Sequence, residues 1–169
     1  MNPFILIGFM GVGKTSLGKK LAKELGWKFI DTDKWIENKT GLTIPVIFKD
    51  KGEEFFREQE KFCLNEIKAF ENHVISVGGG LPCFGENMNY LNAFGTTIYL
   101  KLEAEEINNR LDLSKKNRPL LSDLKDAELE TYIHNKLQER EPFYKLANYT
   151  IRPDRYFLEN CLKLVKSTE

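Results

Sequence analysis

Gly8-Phe9-Met10-Gly11-Val12-Gly13-Lys14-Thr15 is the stretch on which the fold turns. It fits G-x-x-x-x-G-K-[ST] at every fixed position, and each residue type suits the holding of a polyphosphate. Glycines let the backbone curl so that several N–H groups converge on phosphate oxygens. A helix opening directly after the loop turns its positive end toward the same anion. The Lys14 ammonium can reach β- and γ-phosphates, and the Thr15 hydroxyl can ligate Mg²⁺. Gly11, Val12, Gly13, Lys14, Thr15 and Ser16 are therefore the expected nucleotide contacts, with Mg²⁺ as cofactor. The competing possibility is a glycine-rich turn followed by an accidental Lys-Thr. Context decides against it: a confirmed loop of this kind follows a buried strand and opens a helix.

Both neighbours are present. Phe4 to Ile7 is a continuous apolar run ending at Gly8, as in a strand buried on both faces. Lys14 to Leu25 repeats apolar residues at Leu17, Leu21, Ala22 and Leu25 and closes on Gly26, a helix with its C′ glycine. The alternation continues along the chain. Strands are predicted over Lys28 to Ile30, His73 to Val77, Thr97 to Leu102 and Tyr149 to Ile151. Helices are predicted over Lys34 to Thr40, Ile44 to Lys51 (capped by Thr43), Glu53 to Glu71, Ala104 to Leu111, Ala127 to Leu146 and Arg155 to Lys166. Strands separated by helices need right-handed crossovers and a parallel sheet covered on both faces. The expected fold is α/β: a three-layer α/β/α P-loop domain on a sheet of about five parallel strands. The polar stretch 112–123 reads as a mobile segment within one domain spanning residues 1–169.

Composition narrows the partners. Lys plus Arg and Asp plus Glu number 25 each, so the formal net charge is zero. A dedicated nucleic-acid binder would show a basic excess, and none is expected as a partner. Three cysteines, Cys63, Cys83 and Cys161, are odd in number and form no Cys-x-x-Cys pair. They suit a reducing cytoplasm, with Cys161 in the core among Phe157, Leu158, Leu162 and Val165. The first apolar run is too short for a secretory leader and no stretch reaches the length of a membrane span, so a soluble cytoplasmic protein is expected, and a monomer.

The loop alone does not choose between a kinase, a motor and a GTPase switch. Asn38-Lys39-Thr40-Gly41 begins like a guanine-reading motif but ends without its carboxylate. The strand at His73 to Val77 runs into glycines and offers no Walker-B acid. The acid for Mg²⁺ must come from elsewhere, and Asp31, ending the second predicted strand, is the candidate.

Further motifs lie beside the loop: Asp31-Thr32-Asp33, Gly52-Glu53-x-x-Phe56-Arg57-x-x-Glu60, Gly78-Gly79-Gly80, Arg118-Pro119-Leu120-Leu121 and Arg140-x-Pro142-x-Tyr144. In order and spacing from Gly8 to Tyr144, the set resembles shikimate kinase. The resemblance implies transfer of the ATP γ-phosphoryl group to the 3-hydroxyl of shikimate, in aromatic amino-acid biosynthesis. It implies substrate contacts at Asp33, Arg57, Gly79 and Arg140, catalytic roles for Lys14, Asp33 and the lid residue Arg118, and nucleotide contacts at Arg118 and Arg155. Arg110 is similar to a basic residue near the family's lid.

Taken singly, several of these residues have plainer explanations. Asp33 is equally suited to capping the following helix. Arg57 with Glu60 one turn on would, without the family, be an ordinary surface ion pair. Gly78-Gly79-Gly80 could be a tight turn, and Arg140, between Glu139 and Glu141, looks like part of a solvated charged helix. His73 and His134 fit no motif. A gluconate or nucleoside monophosphate kinase of similar architecture, or a nucleotide-sensing module without transfer, remains the alternative.

Overall fold

Runs of four or five apolar residues between polar or glycine neighbours are too short for helices and rich enough in β-branched residues for buried strands. The computed structural model of the chain, which describes residues 1–112 and 126–166, bears this out. The strands are β1 Phe4–Ile7, β2 Lys28–Asp31, β3 His73–Ser76, β4 Thr96–Leu100 and β5 Tyr149–Ile151. They form one parallel sheet in the order β2-β3-β1-β4-β5. Consecutive strand residues face opposite sides of a sheet. Burial of every residue of β1, and of all but the first of β3 and β4, therefore means that both faces are covered. This is the three-layer arrangement expected.

The helices are α1 Lys14–Leu25, α2 Thr32–Thr40, α3 Ile44–Asp50, α4 Gly52–Ile67, α5 Asn87–Phe94, α6 Ala104–Asp112, α7 Asp126–Tyr144 and α8 Phe157–Lys166. α1 packs on β3 with α8 beside it, and Cys161 is buried in the core as expected. Among the described residues no helix is long and apolar enough to cross a membrane.

Three differences from the sequence expectations have local causes. α2 begins at Thr32 rather than Lys34, because the Asp31 carboxylate accepts from the N–H groups of Asp33 (3.2 Å) and Lys34 (3.4 Å). Asp31 is thus the cap, and Asp33 is left in the first turn for other work. α4 stops at Ile67 rather than Glu71; the chain turns there, with Asn72 in the left-handed region (φ 53°), to enter β3. A 3₁₀ turn, Leu81–Cys83, and α5 fill a stretch that had no predicted element. Asn87, Asn89 and Asn92 are weak helix formers, and only Met88 and Leu91 of α5 are buried, so its signal is faint.

The sheet order places the site. β1 sends its loop toward β2 on one side, whereas β3 sends the chain past β1 to β4 on the other. Between these diverging loops, at the carboxyl ends of β1 and β3, a crevice opens where α/β sheets bind ligands. The phosphate loop forms one wall and Gly78-Gly79-Gly80 the other.

Candidate active site

The loop has the backbone its glycines permit. Gly11 and Gly13 have φ of 83° and 98°, a region that disfavours side-chain-bearing residues. No side chain caps α1, so its first-turn N–H groups are available to an anion. Lys14 Nζ donates to the carbonyl oxygens of Gly8 (2.8 Å) and Phe9 (2.9 Å), which folds the ammonium over its own loop. Ser16 Oγ donates to the Gly13 carbonyl at 3.1 Å, and the Val12 carbonyl accepts from Arg110 at 3.1 Å. The cleft above the loop has a volume of about 600 Å³ and is lined by Lys14, Thr15, Asp31, Asp33, Ser76 and Gly79 among others.

Each residue of Asp31-Thr32-Asp33 has a different partner. Thr15 Oγ1 donates to Asp31 Oδ2 at 2.7 Å, while the other Asp31 oxygen caps α2. Asp31 pairs in register with Ser76 of β3, so the carboxylate comes from the strand next to the one that lacks an acid. A hydroxyl and a carboxylate in contact at the mouth of the cleft are a fitting donor set for Mg²⁺, which takes few protein ligands beside phosphate and water. Among the described residues no cluster of three or more His, Cys, Asp or Glu offers an all-protein metal cage. Thr32 is fully buried, and its hydroxyl accepts from the Gly78 N–H at 3.0 Å, tying the glycine turn to α2. Asp33 lies against that turn: a methyl group on Gly78 would stand 2.6 Å from Asp33 Oδ1. Burial pushes the Asp33 carboxyl up to about 6, with Asp31 adding to the rise and Lys14 opposing it.

Beyond Asp33 a second cleft of about 470 Å³ runs between α3, α4, the glycine triplet and α7. Pro45, Phe48, Phe56 and Tyr132 make it apolar, and Arg57 and Arg140 make it cationic. Arg57 Nη1 donates to Glu60 Oε2 at 2.7 Å, and Nε and Nη2 share Glu53 Oε1 at 3.2 and 2.8 Å. Glu60 is buried at 2 % exposure, which sets this pair apart from a surface ion pair. Burial pushes the Glu60 carboxyl up to about 7 despite the guanidinium beside it. Arg140 comes from the far end of the chain to the same turn: a methyl group on Gly79 would lie 3.5 Å from its Nη1, and one on Gly80 3.4 Å from both Arg57 terminal nitrogens. Two arginines thus converge on the glycine triplet, an arrangement suited to a carboxylate.

Tyr144 was visible in the sequence only as the end of a motif. In the fold it is wholly buried against Tyr99, and its hydroxyl donates to the Gly79 carbonyl at 2.6 Å. Its place four residues after Arg140 puts both on one face of α7. With Thr32 it fixes the triplet from the two sides. Spacing reveals that face; nothing local reveals what it meets. Arg155 sits in the turn before α8 with its guanidinium over the Tyr156 ring at 4.6 Å, and it borders neither cleft. Arg118 and most of the predicted lid lie outside the described residues.

Comparison with known proteins agrees with this geometry. The family model described as shikimate kinase matches residues 10–163. A shikimate kinase of Parabacteroides distasonis is 44 % identical over 160 residues, covering 95 % of this chain and 92 % of its own length. Among solved structures, the chain is similar to a shikimate kinase from Bacteroides thetaiotaomicron at a TM-score of 0.90 and 38 % identity, covering 99 % of this chain and 97 % of that one. It is similar also to the Acinetobacter baumannii enzyme in complex with shikimate, at a TM-score of 0.88 and 36 % identity, covering 100 % of this chain and 95 % of that one.

Proposed function

Because this chain belongs to the shikimate kinase family, we propose that its loop cleft takes Mg·ATP, that the neighbouring cleft takes shikimate, and that Asp33 works where the two meet. The protein is an ATP-dependent kinase that phosphorylates a hydroxyl of shikimate, releasing ADP. The gluconate-kinase, nucleotide-kinase and non-catalytic readings are not favoured. The observation that carries the site assignment is the position of Asp33, which borders both clefts.

On this reading the shikimate carboxylate is held by Arg57 and Arg140 beside Gly79, and its 3-hydroxyl points back to Asp33. Asp33 accepts a hydrogen bond from that hydroxyl and takes its proton as the oxygen attacks. A carboxyl near 6 is ionised at neutral pH yet more basic than an exposed one, which suits a general base. Lys14 exchanges the Gly8 and Phe9 carbonyls for phosphate oxygens when nucleotide enters. Thr15 and Asp31 would hold Mg²⁺, which would supply charge neutralisation on the polyphosphate. Arg118 closes from the lid over the phosphates, and Arg155 contacts the adenine side. The enzyme acts as a monomeric single domain in the cytoplasm.

The test is ADP release with shikimate, gluconate, AMP or no acceptor, with the product identified by mass spectrometry. Strict dependence on shikimate and appearance of shikimate 3-phosphate are expected. Folded protein that makes none at saturating Mg·ATP refutes the reading.

A further inference from the structure

Phe84 belongs to no motif, and at 40 % exposure it is among the more exposed aromatics of the described residues. Its ring nevertheless lies on the flat face of Arg57, with the guanidinium carbon 3.5 Å from the ring centroid. Phe56 flanks the same guanidinium at 5.2 Å. A guanidinium is weakly hydrated above and below its plane and donates hydrogen bonds only within it. A ring laid on that face therefore displaces little bound water while forbidding the group to tilt.

The in-plane positions are also nearly used up. Of the five N–H donors of Arg57, one on Nη1 goes to Glu60, and Nε and one on Nη2 go to Glu53. One N–H remains on each terminal nitrogen. The two nitrogens bearing them both lie 3.4 Å from the position of a methyl on Gly80. Glu53 and Glu60 hold the fork in its plane, but neither stops it from rocking out of that plane. Phe84 does.

The backbone that carries Phe84 is braced. Cys83 N–H donates to the Gly80 carbonyl at 3.0 Å, the Asn87 side chain to the Leu81 carbonyl at 2.8 Å, and Asn87 N–H to the Phe84 carbonyl at 3.1 Å. The residue leaving the triplet on one side and entering α5 on the other is thereby held to the same turn that the acceptor approaches.

We infer that Phe84 is a positioning residue for the acceptor: it lies flat on Arg57 and pre-sets the guanidinium plane so that its two remaining N–H groups meet a planar carboxylate. This rests on the acceptor cleft proposed above. Removing the ring frees the fork to rock, and part of the affinity is then lost in ordering it. A face-on aromatic contact of this kind corresponds to about a three- to tenfold change in binding.

The experiment compares steady-state kinetics of Phe84→Ala, Phe84→Leu and Phe84→Tyr with wild type, and repeats Phe84→Ala in an Arg57→Ala background. Expected are a KM for shikimate raised about three- to tenfold in Phe84→Ala, KM for ATP and kcat within twofold, recovery in Phe84→Tyr, and partial recovery in Phe84→Leu. In the Arg57→Ala background the second substitution should add nothing, because there is no fork left to hold. An unchanged KM for shikimate, equal effects on both substrates, or additivity with Arg57→Ala would each overturn the inference. Failure of the underlying function would look different, since wild type itself would then show no dependence on shikimate.

Discussion

Gly78→Ala is the substitution whose consequence the structure specifies most closely. Gly78 has ordinary negative-φ backbone, so alanine is conformationally compatible there. The added methyl would stand 2.6 Å from Asp33 Oδ1, where ordinary contact begins at 3.4 Å. The shortfall is the difference, about 0.8 Å, and one of the two must give way. The Gly78 backbone is held by its hydrogen bond to buried Thr32 at 3.0 Å, so the Asp33 carboxylate moves. A misplacement of this order costs about a hundredfold in rate when the displaced group must meet a reacting atom. Stability should change little, because replacing glycine at a compatible site stiffens the unfolded chain and offsets the local crowding. Measured by ADP release, kcat should fall about a hundredfold, with nucleotide affinity by calorimetry and Tm nearly those of wild type. Gly41→Ala is the control: its φ of 71° disfavours alanine but no atom lies within 4 Å, so it should lower Tm and leave kcat alone. A kcat within threefold of wild type in folded Gly78→Ala would refute the placement of Asp33 at the reacting oxygen.

Lys14→Ala should lower kcat by several powers of ten at unchanged circular dichroism, and near-normal turnover would contradict its role on the phosphates. Arg140→Ala should weaken shikimate about ten- to a hundredfold, while ATP affinity without acceptor holds; the reverse pattern would mean that the two clefts have been exchanged. The pH dependence has a worked sign. Asp33 rises from 3.8 to about 6 on folding, so the folded chain binds its proton more tightly, and stability from this group falls as pH rises through that window. Activity runs the other way, because the ionised form is the base: log kcat/KM should fall with unit slope below about pH 6. Asp33→Asn should gain stability relative to wild type between pH 4 and pH 8, read as Tm; a flat difference would show that Asp33 is not the group concerned.

Much of the fold was legible because strands buried on both faces and amphipathic helices write themselves as local patterns. Phe4–Ile7 and Lys14–Leu25 have the boundaries their patterns predict. α5 was not legible, since three asparagines and two buried residues leave too little contrast over eight positions. The phosphate loop could be read directly, because all of its chemistry lies within eight consecutive residues. Asp31 could be read by elimination of other acids, whereas Asp33 read equally well as a helix cap until the resemblance gave it a role. What sequence could not decide is which plain-looking residue becomes special by burial or by meeting a distant one. Glu60 reads as the partner of Arg57 in a surface ion pair, and only packing buries it. Tyr144 and Thr32 meet the glycine triplet across 65 and 46 residues, respectively. Those encounters depend on β2 lying beside β3 and on α7 returning to the ends of the central strands. Periodicity states only which side of an element is apolar; sheet order and helix packing decide what that side faces, and with it the neighbours of Asp33, Arg57 and Phe84.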